Sequence, residues 1–517
     1  MDKCNPPNLQ INNINTELHD NLTLETMNQI LNYEVYSESG KFSENDKELI
    51  RYLIENTKVD ENNRLIMPCL FNIKLETFLP NNFQLAVSVL KSIKHKFIHQ
   101  LEKFTAYDEV IQGQIESGII EPVEGINSLK YNNKISFIAH NAVFRENVAS
   151  TKCRIVYLAN LCDKSKASNL SHNNISLPGP SLNNKLHIAI TLLRFNKYLL
   201  IYDLEKAYHQ IKLTEEDTKK LHFLWFKNIK EGNFELVAYK LLRLPFGLRF
   251  SPFVLMIALY IILILQVDTY DDLENEIRKN LYNLLYMDNL AFSTNMESDI
   301  QIAFHKSRAI FDSYGFTIQQ VYSNSRKFQN LINKEFPNTR VNEPEKATKL
   351  LGMIWDIEAD VIYNNNNKLN PQANTLRSIL SSINSCFDPL NIGLPGRNRM
   401  KLFLHELQHD KSLKWDKKIN DKKLKIYKKI CTQYNNSSYP KIPRYVGNYK
   451  GMYNIVSFTD ASKDLYGNVI YLQDVSNNTL HFLCSKNSHF QPAYEKIHSY
   501  IRTIGVEVRG RMHHGNV

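Results

Sequence analysis

An α+β fold of several domains is predicted by three observations. Short β-branched and aromatic runs alternate irregularly with helix-period stretches, a chain of 517 residues can bury more than one core, and a 43% hydrophobic content is that of a folded globular protein. Residues 1–60 are polar and Asn-rich, with an amphipathic stretch at Asp46–Thr57 and no recognisable chemistry. Phe83–Leu101 and Tyr107–Gly118 carry helical periodicity, the second ending at a glycine suited to a helix stop. Lys134–Val143, Cys153–Ala159 and Tyr198–Leu204 read as strands, and Ser251–Leu265 as a helix after the Pro245–Gly247 turn. Leu284–Phe292 reads as a strand–turn–strand hairpin with polar residues at its tip, and Glu297–Tyr314 as a helix. After Leu350 come a short strand, an Asn-rich loop, two helical stretches and a basic segment; Asn454–Ala461 and Gly467–Leu472 look like the first hairpin of a small α/β unit.

Charge is unevenly spread. Of a formal net charge of +10, residues 401–450 hold 13 lysines and arginines against 4 acidic residues, which suits a polyanion. A lone lysine run such as Lys417, Lys418, Lys422, Lys423, Lys425, Lys428 and Lys429 also reads as a solvated helix face. The 7 cysteines form no Cys-x-x-Cys pair, arguing against a zinc ribbon or a disulfide framework and for a reducing setting, cytoplasmic or nuclear. The start lacks the apolar core of a signal peptide, and the longest mostly apolar stretch, Phe253–Val267, has 15 residues against the roughly 20 that span a bilayer. No membrane partner is expected.

Three blocks carry the chemistry. In Tyr202-Asp203-Leu204-Glu205-Lys206-Ala207-Tyr208 an acidic residue closes an apolar strand, where a carboxylate can hold a divalent cation; alone, such an aspartate is more often a turn or cap residue. The second block is Leu244-Pro245-Phe246-Gly247-Leu248-Arg249. The third, Leu285-Tyr286-Met287-Asp288-Asn289-Leu290, sets Asp-Asn between two apolar arms, as a hairpin presenting a carboxylate at its turn would. Two-metal phosphoryl transfer needs carboxylates from separate strands to converge on both ions, and Asp203 and Asp288 could supply them.

In this order the blocks resemble the palm of reverse transcriptases, and the surrounding sequence resembles the BEL/Pao type of retrotransposon polyprotein from about residue 35 onward. Further similar stretches are Ile138–Val143, Phe223–Trp225, Gly315-Phe316 with Ser323-Asn324, Leu350–Asp356 and Cys386–Leu390. The resemblance implies a right hand, with fingers and palm over 64–345, a basic thumb and connection over 346–450, and a truncated ribonuclease H-like α/β unit over 451–517, after a region 1–63 of unknown role. It implies RNA-directed DNA synthesis from deoxynucleoside triphosphates on an RNA/DNA primer–template, with two Mg²⁺ ions for which Mn²⁺ can substitute. Asp203 and Asp288 would bind metal, Lys152 and Arg154 would contact the triphosphate, Tyr208 would select deoxyribose, and Phe246 and Gly247 would line the nucleotide pocket. The basic 401–450 segment would hold the duplex.

Departures from the pattern matter as much. Asn289 stands where the family has a second aspartate, which removes one negative charge from a site for two dications and predicts weaker metal binding. Leu158 stands where the family usually has Asp. In the last unit Asp460 resembles the first metal ligand of a ribonuclease H and Glu507 the second, one residue short of the match; further carboxylates would follow beyond Val517, so no cleavage activity is expected. Two alternatives stay open. One is a decayed or domesticated remnant that binds nucleic acid without polymerising, since the grip comes from Lys and Arg while catalysis depends on a few carboxylates. The other is a zinc metalloprotease, because His405-Glu406-Leu407-Gln408-His409 fits His-Glu-x-x-His, although Asp410 and the lack of a third ligand speak against it.

Overall fold

The computed structural model describes residues 42–144, 153–164, 168–183, 185–227, 229–232, 234–265, 271–335, 347–365, 367–410, 412–448, 451–461, 465–489 and 510–511. It is α+β, and the chain divides into two compact units that interleave in sequence: 1–183, 204–282 and 306–318 in the first, 184–203, 283–305 and 319–517 in the second.

The first unit is built on the antiparallel sheet Ile120–Val123, Glu235–Leu241, His222–Lys227, with the ribbon His140–Phe144/Cys153–Tyr157 beside the helices Phe83–Phe97 and Leu101–Glu116. Strand His222–Lys227 is buried at five of its six positions, hence its unbroken apolar run. His140 sits in this core, its Nε2 donating to the Leu224 carbonyl (2.9 Å) and its Nδ1 paired with Tyr107 Oη, and burial pushes its pKa down to about 4. Helix Ser251–Leu263 opens with Pro at its first turn and buries nearly every side chain, as an all-apolar helix of this length must in a water-exposed protein. At the N-terminal end, Ser43 and Asp46 form a capping box on helix Glu44–Glu55. The short hairpin Lys58–Val59/Leu65–Met67 follows, its second strand running parallel to Lys212–Leu213.

The second unit holds three sheets. One has the order Asn289–Thr294, Tyr198–Leu204, Ile318–Ser323; the next is Ala347–Leu350, Met353–Asp356, Val361–Asn364, Ile442–Pro443; the last is Leu480–His489, Leu465–Asp474, Tyr453–Ala461, Gly510–Arg511. Helices Leu376–Asn384, Leu394–His409 and Asp421–Asn435 share a separate core around Phe403, Tyr427 and Ile430. Two fully buried arginines clasp reciprocally. Arg194, ahead of strand Tyr198–Leu204, donates to the carbonyls of Leu483 (3.0 Å) and Pro443 (3.1 Å). Arg444 donates back to the carbonyls of Leu193 (3.1 Å), Asn196 (3.1 Å) and Lys197 (2.6 Å), and forks onto Asp360 at 2.6 and 2.8 Å. The saturation of Arg444 is what a buried guanidinium requires, since an unpaired buried charge costs several kcal/mol, whereas Arg194 keeps its Nε without a partner.

Two expected elements come out shorter. Within Lys134–Val143 only His140 onward is ladder apart from an isolated bridge between Phe137 and His222, because the amides of Ser136, Phe137 and Ile138 are taken by the carbonyls of Lys219, Asn81 and His222 from two separate segments. The hairpin expected at Leu284–Phe292 has one full arm; helix Asp272–Asn283 occupies the other side, and only Tyr286 pairs.

Candidate active site

Strand Tyr198–Leu204 is central in its sheet, with Leu199, Leu200, Tyr202 and Leu204 buried and Asp203 half-buried at its end. The Asn324 side chain fixes its start, accepting from the Leu199 amide (2.9 Å) and donating to the Lys197 carbonyl (2.9 Å). Asn289–Thr294 runs antiparallel to it in the register Asp203↔Asn289 to Tyr198↔Thr294. Directly opposed side chains share a face with Cβ atoms about 5 Å apart, so Asn289 stands beside Asp203.

Asp288 arrives through a two-residue turn. Tyr286 and Asn289 exchange backbone hydrogen bonds of 3.1 and 3.0 Å, leaving Met287 and Asp288 as the central pair. Met287 has φ +58°, a left-handed conformation that costs a non-glycine residue about 1 kcal/mol or more and is held here by the flanking pair. The Asn289 amide donates to Asp288 Oδ1 (3.2 Å) and reaches toward the Tyr286 carbonyl (3.4 Å). Burial pushes the Asp288 carboxyl above its ordinary pKa of 3.8. A desolvated carboxylate, a second carboxylate and an amide oxygen at one sheet end are an oxygen donor set of the kind that holds Mg²⁺, and a dication would offset the burial that disfavours the Asp288 charge. The three candidate metal-site residues are therefore brought together.

In the first unit Tyr208 lies in the 3₁₀ turn Ala207–Gln210, its ring 4.4 Å from that of Phe246. Gly247 has φ +102°, and a Cβ there would come within 2.8 Å of the Tyr157 carbonyl oxygen, so no other residue fits without displacing that strand. Asn173 holds the same loop, donating to the Gly247 carbonyl (3.0 Å) and accepting from the Arg249 amide (3.0 Å). Arg154 is exposed on strand Cys153–Tyr157; Lys152 lies outside the described residues. Sequence reading missed Asn173, Asp360 and the two arginines of the clasp, whose partners are distant in the chain and leave no local pattern; it marked Asn324 within a family-like stretch but gave it no role.

The other candidates differ. Asp460 is exposed on strand Tyr453–Ala461, opposite Gly467, and Glu507 lies outside the described residues. His405 and His409 are exposed one turn apart at the end of helix Leu394–His409, His409 Nδ1 bonding to the His405 carbonyl (2.8 Å); no group of three potential metal ligands occurs among the described residues. Helix Asp421–Asn435 buries Leu424, Tyr427, Ile430 and Tyr434 and exposes Lys422, Lys425, Lys428 and Lys429, while Lys423 pairs with Asp410 and Lys418 with Asp421. Among the described residues no helix is long and apolar enough to cross a membrane.

Similarity to known proteins divides the chain in two. Residues 147–353 match the family model for reverse transcriptase (RNA-dependent DNA polymerase), and residues 375–497 match that for the Pao retrotransposon-like RNaseH-like domain. No curated protein matches. Solved structures with some likeness include a foamy viral protease-reverse transcriptase in complex with an RNA/DNA hybrid, 14% identical over 93% of this chain with a TM-score of 0.48. Another is the foamy viral protease-reverse transcriptase dRH in complex with double-stranded DNA, 13% identical over 93% of this chain and 70% of that one, TM-score 0.48. The chain spans about half, 54%, of the first of these. Through the two family models in this order, the chain is similar to the reverse-transcriptase region of a Pao-like retroelement, followed by its RNaseH-like domain.

Proposed function

We propose that the chain is an RNA-directed DNA polymerase of a BEL/Pao-like retroelement, acting on an RNA/DNA primer–template with deoxynucleoside triphosphates. One observation carries the reading: Asp203, at the end of a buried central strand, stands in register with the Asp288–Asn289 turn, inside the segment similar to reverse transcriptases. Asp203 and Asp288 hold Mg²⁺ or Mn²⁺, and Asn289 offers its amide oxygen as a neutral ligand. When bound, such ions activate the primer 3′-hydroxyl and stabilise charge on the leaving pyrophosphate. Arg154, with Lys152, neutralises the triphosphate; the Tyr208 ring lies under the sugar and excludes a 2′-hydroxyl; Phe246 and Gly247 line the base and sugar. Lys422, Lys425, Lys428 and Lys429 meet duplex phosphates, a contact that weakens steeply with salt. The division at 64–345, 346–450 and 451–517 belongs to this proposal, although the matched RNaseH-like segment begins earlier, at 375. So do Asp460 and Glu507 as remnants of a nuclease site.

The second reading, a remnant that binds nucleic acid without polymerising, is favoured by the Asn289 amide occupying the Asp288 carboxylate. Primer extension on poly(rA)/oligo(dT) with Mg²⁺ or Mn²⁺, beside the Asp203→Ala variant, separates them. Extension lost in the variant is the expected outcome; salt-sensitive duplex binding without extension would establish the remnant.

A further inference from the structure

A short hairpin at the junction of the N-terminal region, which the sequence leaves without a role, and the segment that follows it braces the turn that carries Tyr208. Within the first unit the hairpin Lys58–Val59/Leu65–Met67 closes on Asp60, whose Oδ1 accepts from the amides of Asn62 (2.9 Å) and Arg64 (2.8 Å). That closure aims Arg64 at Gln210. Arg64 Nη1 donates to the Gln210 carbonyl (3.2 Å) and to its side-chain oxygen (2.5 Å), and Gln210 Nε2 donates onward to the Glu205 carbonyl (2.8 Å). The bonds therefore tie together both ends of the Glu205–Gln210 turn, in which Lys206 sits at φ +48° and Tyr208 faces Phe246.

Two further features hold the brace. Strand Leu65–Met67 pairs with Lys212–Leu213, two residues beyond the turn, and Lys212 Nζ reaches Asp60. Gly315, at φ +72°, leaves room for the guanidinium, since a Cβ there would lie 2.7 Å from the Arg64 Cζ. His209 adds no polar tie of its own: its ring packs against that of Phe246 (5.4 Å), and its two ring nitrogens are buried without a hydrogen-bond partner. A ring that selects a sugar by steric exclusion works only if its backbone cannot give way by an ångström, and misplacements of that size carry large kinetic consequences.

We propose that Arg64, through Gln210, is a positioning residue for sugar selection: the N-terminal hairpin fixes the Tyr208 turn, so that losing it relaxes discrimination between deoxyribonucleotides and ribonucleotides. The inference rests on the polymerase reading above. The test measures kcat/KM for dTTP and UTP on poly(rA)/oligo(dT) with the full chain, Arg64→Ala, Gln210→Ala, Tyr208→Ala and, as a control at the far end of the hairpin, Lys58→Ala. Arg64→Ala and Gln210→Ala are expected to lower the dTTP/UTP ratio by roughly tenfold, through improved UTP use rather than a lost rate with dTTP. Lys58→Ala leaves the ratio alone. If Tyr208→Ala relaxes selection while Arg64→Ala and Gln210→Ala keep the parental ratio, the brace is overturned and the polymerase reading stands. If no protein extends a primer, the polymerase reading fails, and amide hydrogen exchange then decides the brace. Faster exchange confined to 205–213 in Arg64→Ala supports it, and unchanged protection there rejects it.

Discussion

Two strands of the second unit end in an aspartate, and they differ in what the sheet sets opposite. Asp203 closes a strand with neighbours on both sides, is half-buried, and faces Asn289 with Asp288 one residue away. Asp460 stands at the end of a strand interrupted by Asn454, Ser457 and Thr459, is exposed, and faces Gly467. An acidic strand end is thus only an opportunity. A metal site needs a second carboxylate delivered by register, in surroundings dry enough that the charges are costly without the ion. The largest expected effect breaks or upholds this contrast directly: Asp203→Ala reduces primer extension on the order of 10³-fold or more, whereas Asp460→Ala leaves it unchanged. Equal losses in the two variants would remove the distinction.

How firmly the Asp203 strand is held is the next difference. The segment leading into it is gripped by Arg444 through the carbonyls of Leu193, Asn196 and Lys197, with Asp360 as counter-ion. Arg444→Met leaves the Leu193 and Asn196 carbonyls without this donor and Asp360 without its counter-ion, while Asn324 still reaches the Lys197 carbonyl and the Trp355 indole still reaches Asp360, and we expect a loss of roughly 3 kcal/mol in urea unfolding. Asp460→Ala, exposed, is expected to cost about 0.5 kcal/mol or less. A small change for Arg444→Met would mean that the clasp does not anchor the strand.

What could be read beforehand follows the same division. Strand Tyr198–Leu204 was legible to the residue, because a strand with one face buried and the other half-buried favours an unbroken apolar run and the acidic end breaks it. Helix Ser251–Leu263 was legible from its apolar length and its proline start. The register that pairs Asp203 with Asn289 was not, since a period-2 pattern defines a face and not a partner. Nor were Arg194, Arg444 and Asp360, whose meaning lies in carbonyls scores of residues away, or Arg64, whose partner Gln210 lies 146 residues further along the chain. The hairpin around Asp288 was half legible: its turn is there, but tertiary packing continues a helix almost up to Tyr286, where the local pattern suggests a strand.

Asn289→Asp sharpens the comparison on the active side. The new carboxylate would stand directly across the ladder from Asp203, where like charges destabilise by roughly 0.2–1 kcal/mol without metal. With metal it adds charge to the donor set. The variant is therefore expected to have a lower melting temperature in EDTA and a faster extension rate at limiting Mg²⁺, by about tenfold, equivalent to ~1.4 kcal/mol. A gain in rate without the metal-free penalty would mean that residue 289 does not face Asp203; an unchanged rate would shift the defect elsewhere, to Leu158 for instance.

The smallest effect concerns the carboxylate that burial has made uncomfortable. Asp288 titrates above its ordinary 3.8 because burial disfavours its charge, its own backbone N–H offsetting only part of that. The sign then follows from linkage. A carboxyl with a raised folded pKa favours the folded state fully below 3.8, and that contribution is lost as pH rises through the higher folded value, so at neutral pH the ionised group is a net cost. Asp288→Asn removes the charge and keeps the shape. The metal-free protein should be more stable than the parent at neutral pH, with the gain fading as the pH falls toward 4, while the variant loses both extension and the rise in melting temperature that Mg²⁺ gives the parent. Asp460→Asn, exposed and facing a glycine, should do neither. Stability and function would then pull in opposite directions at Asp288 and not at Asp460, as expected where a carboxylate is kept for an ion rather than for the fold. If metal-free Asp288→Asn is less stable than the parent at neutral pH, burial is not what raises this carboxyl, and the dry-site argument separating the two strands fails with it.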